Sequence, residues 1–140
     1  MGDFQMEECI RASNVGEVVD FAREIAEIEG GEFDRIVVEA WFSKSDRFLA
    51  AIWQGKVVGA VSFSTKGIEN IRTPVLDFVN VLRPFQRKGV ATRLCIAAIH
   101  DLVSDGFTPI HCTTLTPQSH RLVTGLPEES RLHLRIKKGF

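Results

Sequence analysis

A basic, glycine-containing segment in the second half of the chain has the residue types of an anion-binding site. Residues 86–91 read Gln-Arg-Lys-Gly-Val-Ala, follow an apolar run and precede a helical pattern. Unpaired backbone N–H groups at a helix start and the positive end of the helix dipole bind phosphate groups, and glycine lets a phosphate come close. The segment is therefore a candidate pyrophosphate site. The alternative at this stage is a solvated basic loop before an ordinary helix.

Two helices are predicted in the N-terminal part of the chain. Apolar residues recur at helical spacing over 15–26, with Ser13 or Asn14 as the N-cap, and the glycines at 30 and 31 end the helix. The same spacing recurs over 33–41, so we expect a second helix that packs its aromatic face inward.

A hairpin and a further strand are predicted next. Residues 48–53 and 57–63 are rich in branched and aromatic side chains and flank a short turn that contains Gly55. A polar connection over 64–73 leads to a third strand over 75–82.

The candidate anion segment then opens a long helix from Gly89 to about Ser104, which Gly106 ends, and residues 110–115 form another β-prone run. A strand, a helix and a strand in succession predict a parallel crossover. The predicted order is ααβββαβ and then a tail over 128–140, whose pattern fits a helix and a strand equally.

The composition is that of an ordinary globular protein. The chain has 140 residues, a net charge of -1 and three cysteines in no metal-like spacing, so we expect one domain over 1–140, without a disulfide framework, a metal site or a nucleic-acid partner. No apolar window reaches the ~18 residues of a membrane span, and the N-terminus lacks a signal-peptide pattern. These features predict a cytoplasmic protein without a membrane partner.

These motifs, in this order, resemble the GNAT-type N-acetyltransferase superfamily, whose acetyl-CoA motif Q/R-x-x-G-x-G/A follows a strand and opens a helix. Residues 86–91 match that motif. Residues 10–13 resemble the family's opening strand, residues 54–59 its hairpin turn, and residues 127–140 its late helix with a closing K-x-G-F signature. We therefore expect an α/β fold with a mixed, mainly antiparallel sheet flanked by helices on both faces.

The resemblance implies transfer of an acetyl group from acetyl-CoA, the acyl donor, to an amine-bearing acceptor. In the family the motif's main chain binds the CoA pyrophosphate, and the preceding strand pairs with pantetheine at a bulge. The positions that correspond to these roles are Val81, Leu82, Gln86, Arg87, Lys88, Gly89, Val90, Ala91 and Thr92. The alternative is a degenerate module of this fold that binds CoA or a protein partner without catalysis.

One carboxylate is a candidate general base. Family members often carry the base on the strand before the motif, four or six residues ahead of the position of Val81, and the four-back position here is Asp77. Strand alternation would put Asp77 on the face of Val79 and Val81. The alternative is that Asp77 pairs with a nearby cation or faces solvent.

The chain departs from the family pattern in three places. It has no Tyr to serve as the general acid of the late helix, where the aligned position is Arg135 and the nearest substitutes are Ser130 and His133. Residues 116–127 form a longer, turn-rich connection. The sequence ends at Phe140, so we expect either a shorter sheet or a homodimer that completes its edge.

The spacing of the remaining His and Cys residues assigns them no catalytic role; they are His100, His111, Cys112 and His120. We expect the two tryptophans, Trp41 and Trp53, to fill the core or line the acceptor cleft.

Overall fold

Alternating branched and aromatic residues build a six-stranded sheet in the computed structural model, which describes residues 9–66 and 73–140. The expectations for the N-terminal stretch and for most of the 64–73 connection lie outside these described residues. The strands are β1 (Ile10–Ala12), β2 (Arg47–Trp53), β3 (Lys56–Ser64), β4 (Val75–Val81), β5 (Ile110–Thr114) and β6 (Leu134–Lys138). The helices are α1 (Val15–Glu29), α2 (Arg35–Phe42), α3 (Val90–Ser104), α4 (Pro117–Thr124) and α5 (Glu128–Arg131).

The strands lie in the sheet in their chain order. β1 to β4 pair with one another antiparallel, whereas β5 pairs parallel to β4 and β6 pairs parallel to β5. The hairpin between β2 and β3 turns at Gln54 and Gly55, which both have positive φ, the geometry that matches strand twist. The mixed, mainly antiparallel sheet and the β4–α3–β5 parallel crossover are confirmed.

Helices cover both faces of the sheet. A Cβ at Gly59 of β3 would lie 3.0 Å from Leu94 Cδ1, so α3 packs closely against that face. Ser62 lies three residues after Gly59 on β3, so its side chain points to the opposite face. Ser62 pairs with Phe78 of β4, whose ring meets the Phe42 ring of α2 edge to face, with centroids 4.9 Å apart. α1 and α2 therefore lie across the sheet from α3, and the predicted two-sided cover is confirmed.

The predicted orientation of α2 is wrong. Val38 and Phe42, four residues apart, face the core, while Ile36, Val37 and Trp41 are exposed. α2 carries two apolar stripes, and its capping residue Asp34 sets the start of the helix without deciding which stripe turns inward.

The C-terminal part contains more regular structure than we expected. The connection over 116–127 holds α4, which starts in a capping box where Thr116 and Ser119 bond each other's main chain. The tail forms both of its alternatives in succession, the four-residue α5 and then β6. The K-x-G-F segment over 137–140 thus follows a strand, and Arg135 lies exposed on β6 instead of on a late helix.

None of the helices among the described residues is both long enough and apolar enough to cross a lipid bilayer.

Candidate functional site

The sheet opens between β4 and β5. Within the described residues these strands pair at one position, Val75 with His111, and their later residues carry no shared ladder. A cavity of about 710 Å³ lies between the end of β4, the loop before α3, the start of α3 and α4, a volume typical of small-molecule sites. Its β4, loop and α3 lining comprises Val79, Asn80, Val81, Arg83, Phe85, Gln86, Arg87, Gly89, Val90, Ala91 and Thr92.

The start of α3 faces this cavity without a side-chain cap. Gly89 is the N-cap residue, with φ of 84°, and the described part of the chain shows no side-chain cap bond there. The N–H groups of Val90, Ala91 and Thr92 have no partner inside the helix because no earlier turn supplies one. They concentrate partial positive charge at the cavity wall, where an anion is stabilised.

The left-handed conformation at Gly89 leaves the cavity side open. An added Cβ there would meet no atom within 4 Å, so a ligand can approach the main chain closely. Arg87, two residues earlier, also has positive φ, at 61°. The ring of Phe85, which lines the cavity, packs against the Trp53 ring with centroids 5.3 Å apart, and this contact supports the cavity wall.

Positive side chains dominate the charge of the cavity lining. Arg83, Arg87 and Arg121 line it, and Glu29 at the end of α1 is the one carboxylate among the lining residues. None of these three arginines takes part in an ion pair within the described part of the chain. The cavity therefore has the charge to hold an anion with more than one phosphate.

The α4 wall of the cavity was missed by the sequence analysis. It contributes Thr116, Gln118, Ser119, Arg121 and Leu122. The Thr116-x-x-Ser119 spacing around Pro117 is a helix-start signal that could have revealed α4 and with it Arg121.

The main chain of Val81 turns toward the cavity and is held there by two side chains. Its N–H donates to Asn80 Oδ1 at 2.9 Å, and its carbonyl accepts from Gln86 Nε2 at 2.9 Å. The next N–H, of Leu82, donates instead to the Val58 carbonyl of β3. Val81 thus has main-chain groups that face away from β3, where an extended ligand could pair with them.

Most of the residues expected at the cofactor line this one cavity. Val81, Gln86 and the residues from Arg87 to Thr92 other than Lys88 do so, whereas Leu82 is buried beside β3 and Lys88 lies outside the lining.

Asp77 lies at a bulge and outside the cavity lining. Ser62 pairs with Phe78 and Phe63 with Leu76, so Asp77 is an extra residue on β4, and the alternation that would align it with Val79 is broken. Its carboxylate accepts from Ser45 Oγ, just after α2, at 3.2 Å. Asp77 is exposed at the surface, yet nearby atoms crowd its carboxylate, and this desolvation raises its pKa against the opposing effects of Ser45 and Lys44.

The proposed substitutes for the missing Tyr lie elsewhere. Ser130 and His133 are not among the cavity-lining residues, and neither is Arg135, the position aligned with the missing Tyr.

The described residues contain no cluster of metal-ligating side chains. Burial raises the pKa of Cys95 to about 12 and that of Cys112 to about 11. Both thiols are therefore protonated near neutral pH and are poor nucleophiles, so a covalent thioester intermediate at these residues has no support.

The family model and the solved structures agree on the fold. A family model described as the acetyltransferase (GNAT) family matches residues 16–123. No curated protein has a matching sequence. Among solved structures, a ribosomal-protein-alanine N-acetyltransferase from Brucella melitensis biovar Abortus 2308 is 18% identical with a TM-score of 0.62, and the match covers 84% of this chain and 87% of that one.

Two further solved structures share this fold. An aminoglycoside N-acetyltransferase crystallised with CoA is 17% identical with a TM-score of 0.60, over 86% of this chain and 88% of that one. An integron cassette protein from the mobile metagenome of Cole Harbour Salt Marsh is 14% identical with a TM-score of 0.63, over 85% and 83%.

Proposed function

Because the chain belongs to the acetyltransferase (GNAT) family, we propose that it transfers the acetyl group of acetyl-CoA to an amine. The observation that carries this proposal is the uncapped start of α3, which opens into a cavity lined by three arginines. Diphosphate is the chemical group that such an arrangement binds best, because main-chain N–H groups, the helix dipole and guanidinium groups all favour it.

The two walls of the cavity have separate roles in this proposal. The N–H groups of Val90, Ala91 and Thr92 bind the diphosphate of acetyl-CoA, and Arg87 and Arg121 reach it from opposite walls. The main chain of Val81 pairs with the pantetheine amides after the side chains of Asn80 and Gln86 release it. This exchange keeps the number of hydrogen bonds nearly constant, so it costs little free energy.

Acetyl-CoA supplies a thioester whose carbonyl carbon is open to attack by a neutral amine. An acceptor that arrives as an ammonium ion first gives one proton to water; the neutral nitrogen then forms the new C–N bond, the C–S bond breaks, and the nitrogen loses a second proton. Asp77 accepts this second proton, directly or through a water molecule, from its position on β4 two residues before Val79, about 7 Å along the strand. The leaving thiolate takes a proton from water. It needs no dedicated general acid, because a thiol with a pKa near 8.5 leaves readily as the thiolate.

The proposed base is tested by comparing Asp77→Asn with the unchanged protein across pH. The wild-type kcat/KM should fall as the pH drops through the pKa of Asp77, which desolvation places above its ordinary value, because the protonated carboxyl cannot accept a proton. Dividing the kcat/KM-against-pH profile of the wild type by that of Asp77→Asn cancels the titration of the amine, which affects both. We expect kcat to fall by about 10²-fold in the variant, with little change in the KM for acetyl-CoA.

Two results would contradict parts of this proposal. A constant ratio across pH would remove Asp77 from the reaction. Binding of acetyl-CoA without release of CoA thiol in the presence of any primary amine would favour the non-catalytic binding module, which the absence of a Tyr and the position of Asp77 outside the cavity motivate.

A further inference from the structure

The outer face of α2 is apolar and uncovered in the described part of the chain. Ile36 is 81% exposed, Val37 63% and Trp41 48%, and Ala40 is exposed between them. These four residues form what we call the α2 patch. Scattered exposed apolar residues are ordinary, but a contiguous group on one helix marks a binding surface.

Aromatic contacts connect the α2 patch to β4. The Trp41 ring lies 5.1 Å from the Phe42 ring and 6.2 Å from the Phe78 ring, measured between centroids. Phe78 lies on β4 between Asp77 and Val79, and Val79 lines the cavity. Ser45, which follows α2, donates to Asp77. Trp41 of the patch and Asp77 are therefore both direct neighbours of Phe78.

This surface and the cavity meet at the opening of the sheet. Phe78 faces α2, whereas Gly59, which pairs with Val81, faces α3. The α2 patch and the cavity therefore lie on opposite faces of the sheet. Beyond the pair of Val75 and His111, β4 and β5 have no ladder between them. A molecule that rests on the α2 patch can thus present one end to the cavity through this gap.

The charges on this surface fit one positive group. Asp77 is the one carboxylate in the sequence of β4, and Lys44 is close enough to act on it electrostatically. The other carboxylates of this region already have partners: Asp20 and Glu39 pair with Arg35 at 2.7 and 3.9 Å, and Asp46 accepts from the N–H and the hydroxyl of Thr65. A polycation would need several carboxylates here and would meet Lys44, whereas a single ammonium group beside an apolar chain is complementary.

We propose that the acceptor is a primary amine on an apolar or aromatic chain, which packs on the α2 patch and places its ammonium group at Asp77. This inference rests on the proposed acetyl transfer and names the acceptor class for it. It separates this protein from an enzyme that takes polycationic acceptors such as aminoglycosides.

The test uses amine binding to the protein saturated with CoA, so that it does not depend on turnover. Tryptamine represents an aromatic monoamine and spermine a polycation, and calorimetry measures both. We expect tryptamine to bind more tightly than spermine, and Trp41→Ala to weaken tryptamine binding about tenfold because an aromatic stacking surface is lost. Val37→Ser, at a more exposed position of the patch, should weaken it in the same direction by a smaller factor.

Leu132→Ser is the matched control, because Leu132 is another exposed apolar residue, 58% accessible and outside the patch. Its tryptamine affinity should equal that of the wild type. Tighter binding of spermine, absence of tryptamine binding, or equal affinities in Trp41→Ala, Val37→Ser and Leu132→Ser would each overturn the acceptor class. Acetylation of spermine would do so while leaving acetyl transfer intact, whereas failure of the protein to bind CoA would overturn the proposed function itself.

Discussion

α1 and α3 have the same length, 15 residues each, but they begin in opposite ways. At α1 the Asn14 side chain accepts from the Glu17 N–H at 2.9 Å, and Glu17 places a negative charge in the first turn. At α3 the first turn has no side-chain cap and no acidic residue, and Gly89 opens it toward a cavity lined by arginines.

The difference teaches how a helix start can be recognised as functional. A side-chain cap stabilises a helix by about 1 kcal/mol, and the starts of α2 and α4 are capped in the same manner as that of α1, by Asp34 and Thr116. The missing cap at α3 leaves N–H groups that an anionic ligand can bond. The comparison therefore separates a start that serves stability from one that can bind an anion. α5 also starts without a side-chain cap, but Glu128 and Glu129 occupy its first turn and it lies outside the cavity lining.

The largest expected effect comes from placing a negative charge at the uncapped start of α3. Gly89→Glu should weaken acetyl-CoA binding by about a hundredfold or more, because its carboxylate would enter the space of the diphosphate. Gly106→Glu is the matched control: Gly106 has a φ of 83° against 84° at Gly89, an added Cβ meets no atom within 4 Å at either position, and Gly106 lies after the far end of α3. Equal affinities in the two variants would contradict a diphosphate site at Gly89.

A smaller effect is expected from the α4 wall. Arg121→Ala should weaken acetyl-CoA binding about tenfold and make the affinity less sensitive to salt, because one charge-assisted contact to a phosphate is removed. Arg23→Ala, at an exposed position of α1 outside the cavity lining, is the control. If both variants respond to salt alike, Arg121 has no direct role in holding the ligand.

The smallest effect on acetyl-CoA binding is expected at the start of α1, which Asn14 caps. Asn14→Ala should lower the free energy of unfolding by about 1 kcal/mol, seen as a lower urea midpoint with an unchanged slope, because the first turn of α1 loses its cap. The acetyl-CoA affinity should stay that of the wild type. A loss of affinity similar to that of Arg121→Ala would mean that the two helix starts are not separate in function.

Local signals were sufficient to predict α1, α3 and the hairpin. The Asn14 cap, the left-handed glycine Gly30 after α1 and the turn at Gly55 each act within a few residues, so the sequence displays them directly. The motif over 86–91 likewise predicted that α3 starts at Gly89.

Features that depend on packing between distant segments were not predictable in this way. The bulge at Asp77 arises from the pairing of β3 with β4, and it breaks the alternation on which the expected face of Asp77 depended. The choice between the two stripes of α2 is made by contact of Phe42 with Phe78. Arg121 was missed because α4 is short and starts in residues that are equally common in turns.

The central claim, that the first turn of α3 binds the diphosphate of acetyl-CoA, is tested most directly by the amide N–H resonances of the two helix starts. On titration with acetyl-CoA we expect large, saturating NMR shifts at Val90, Ala91 and Thr92, and none at Glu17, whose N–H is already bonded to Asn14. Shifts confined to other parts of the chain, or equal shifts at the starts of α1 and α3, would contradict it.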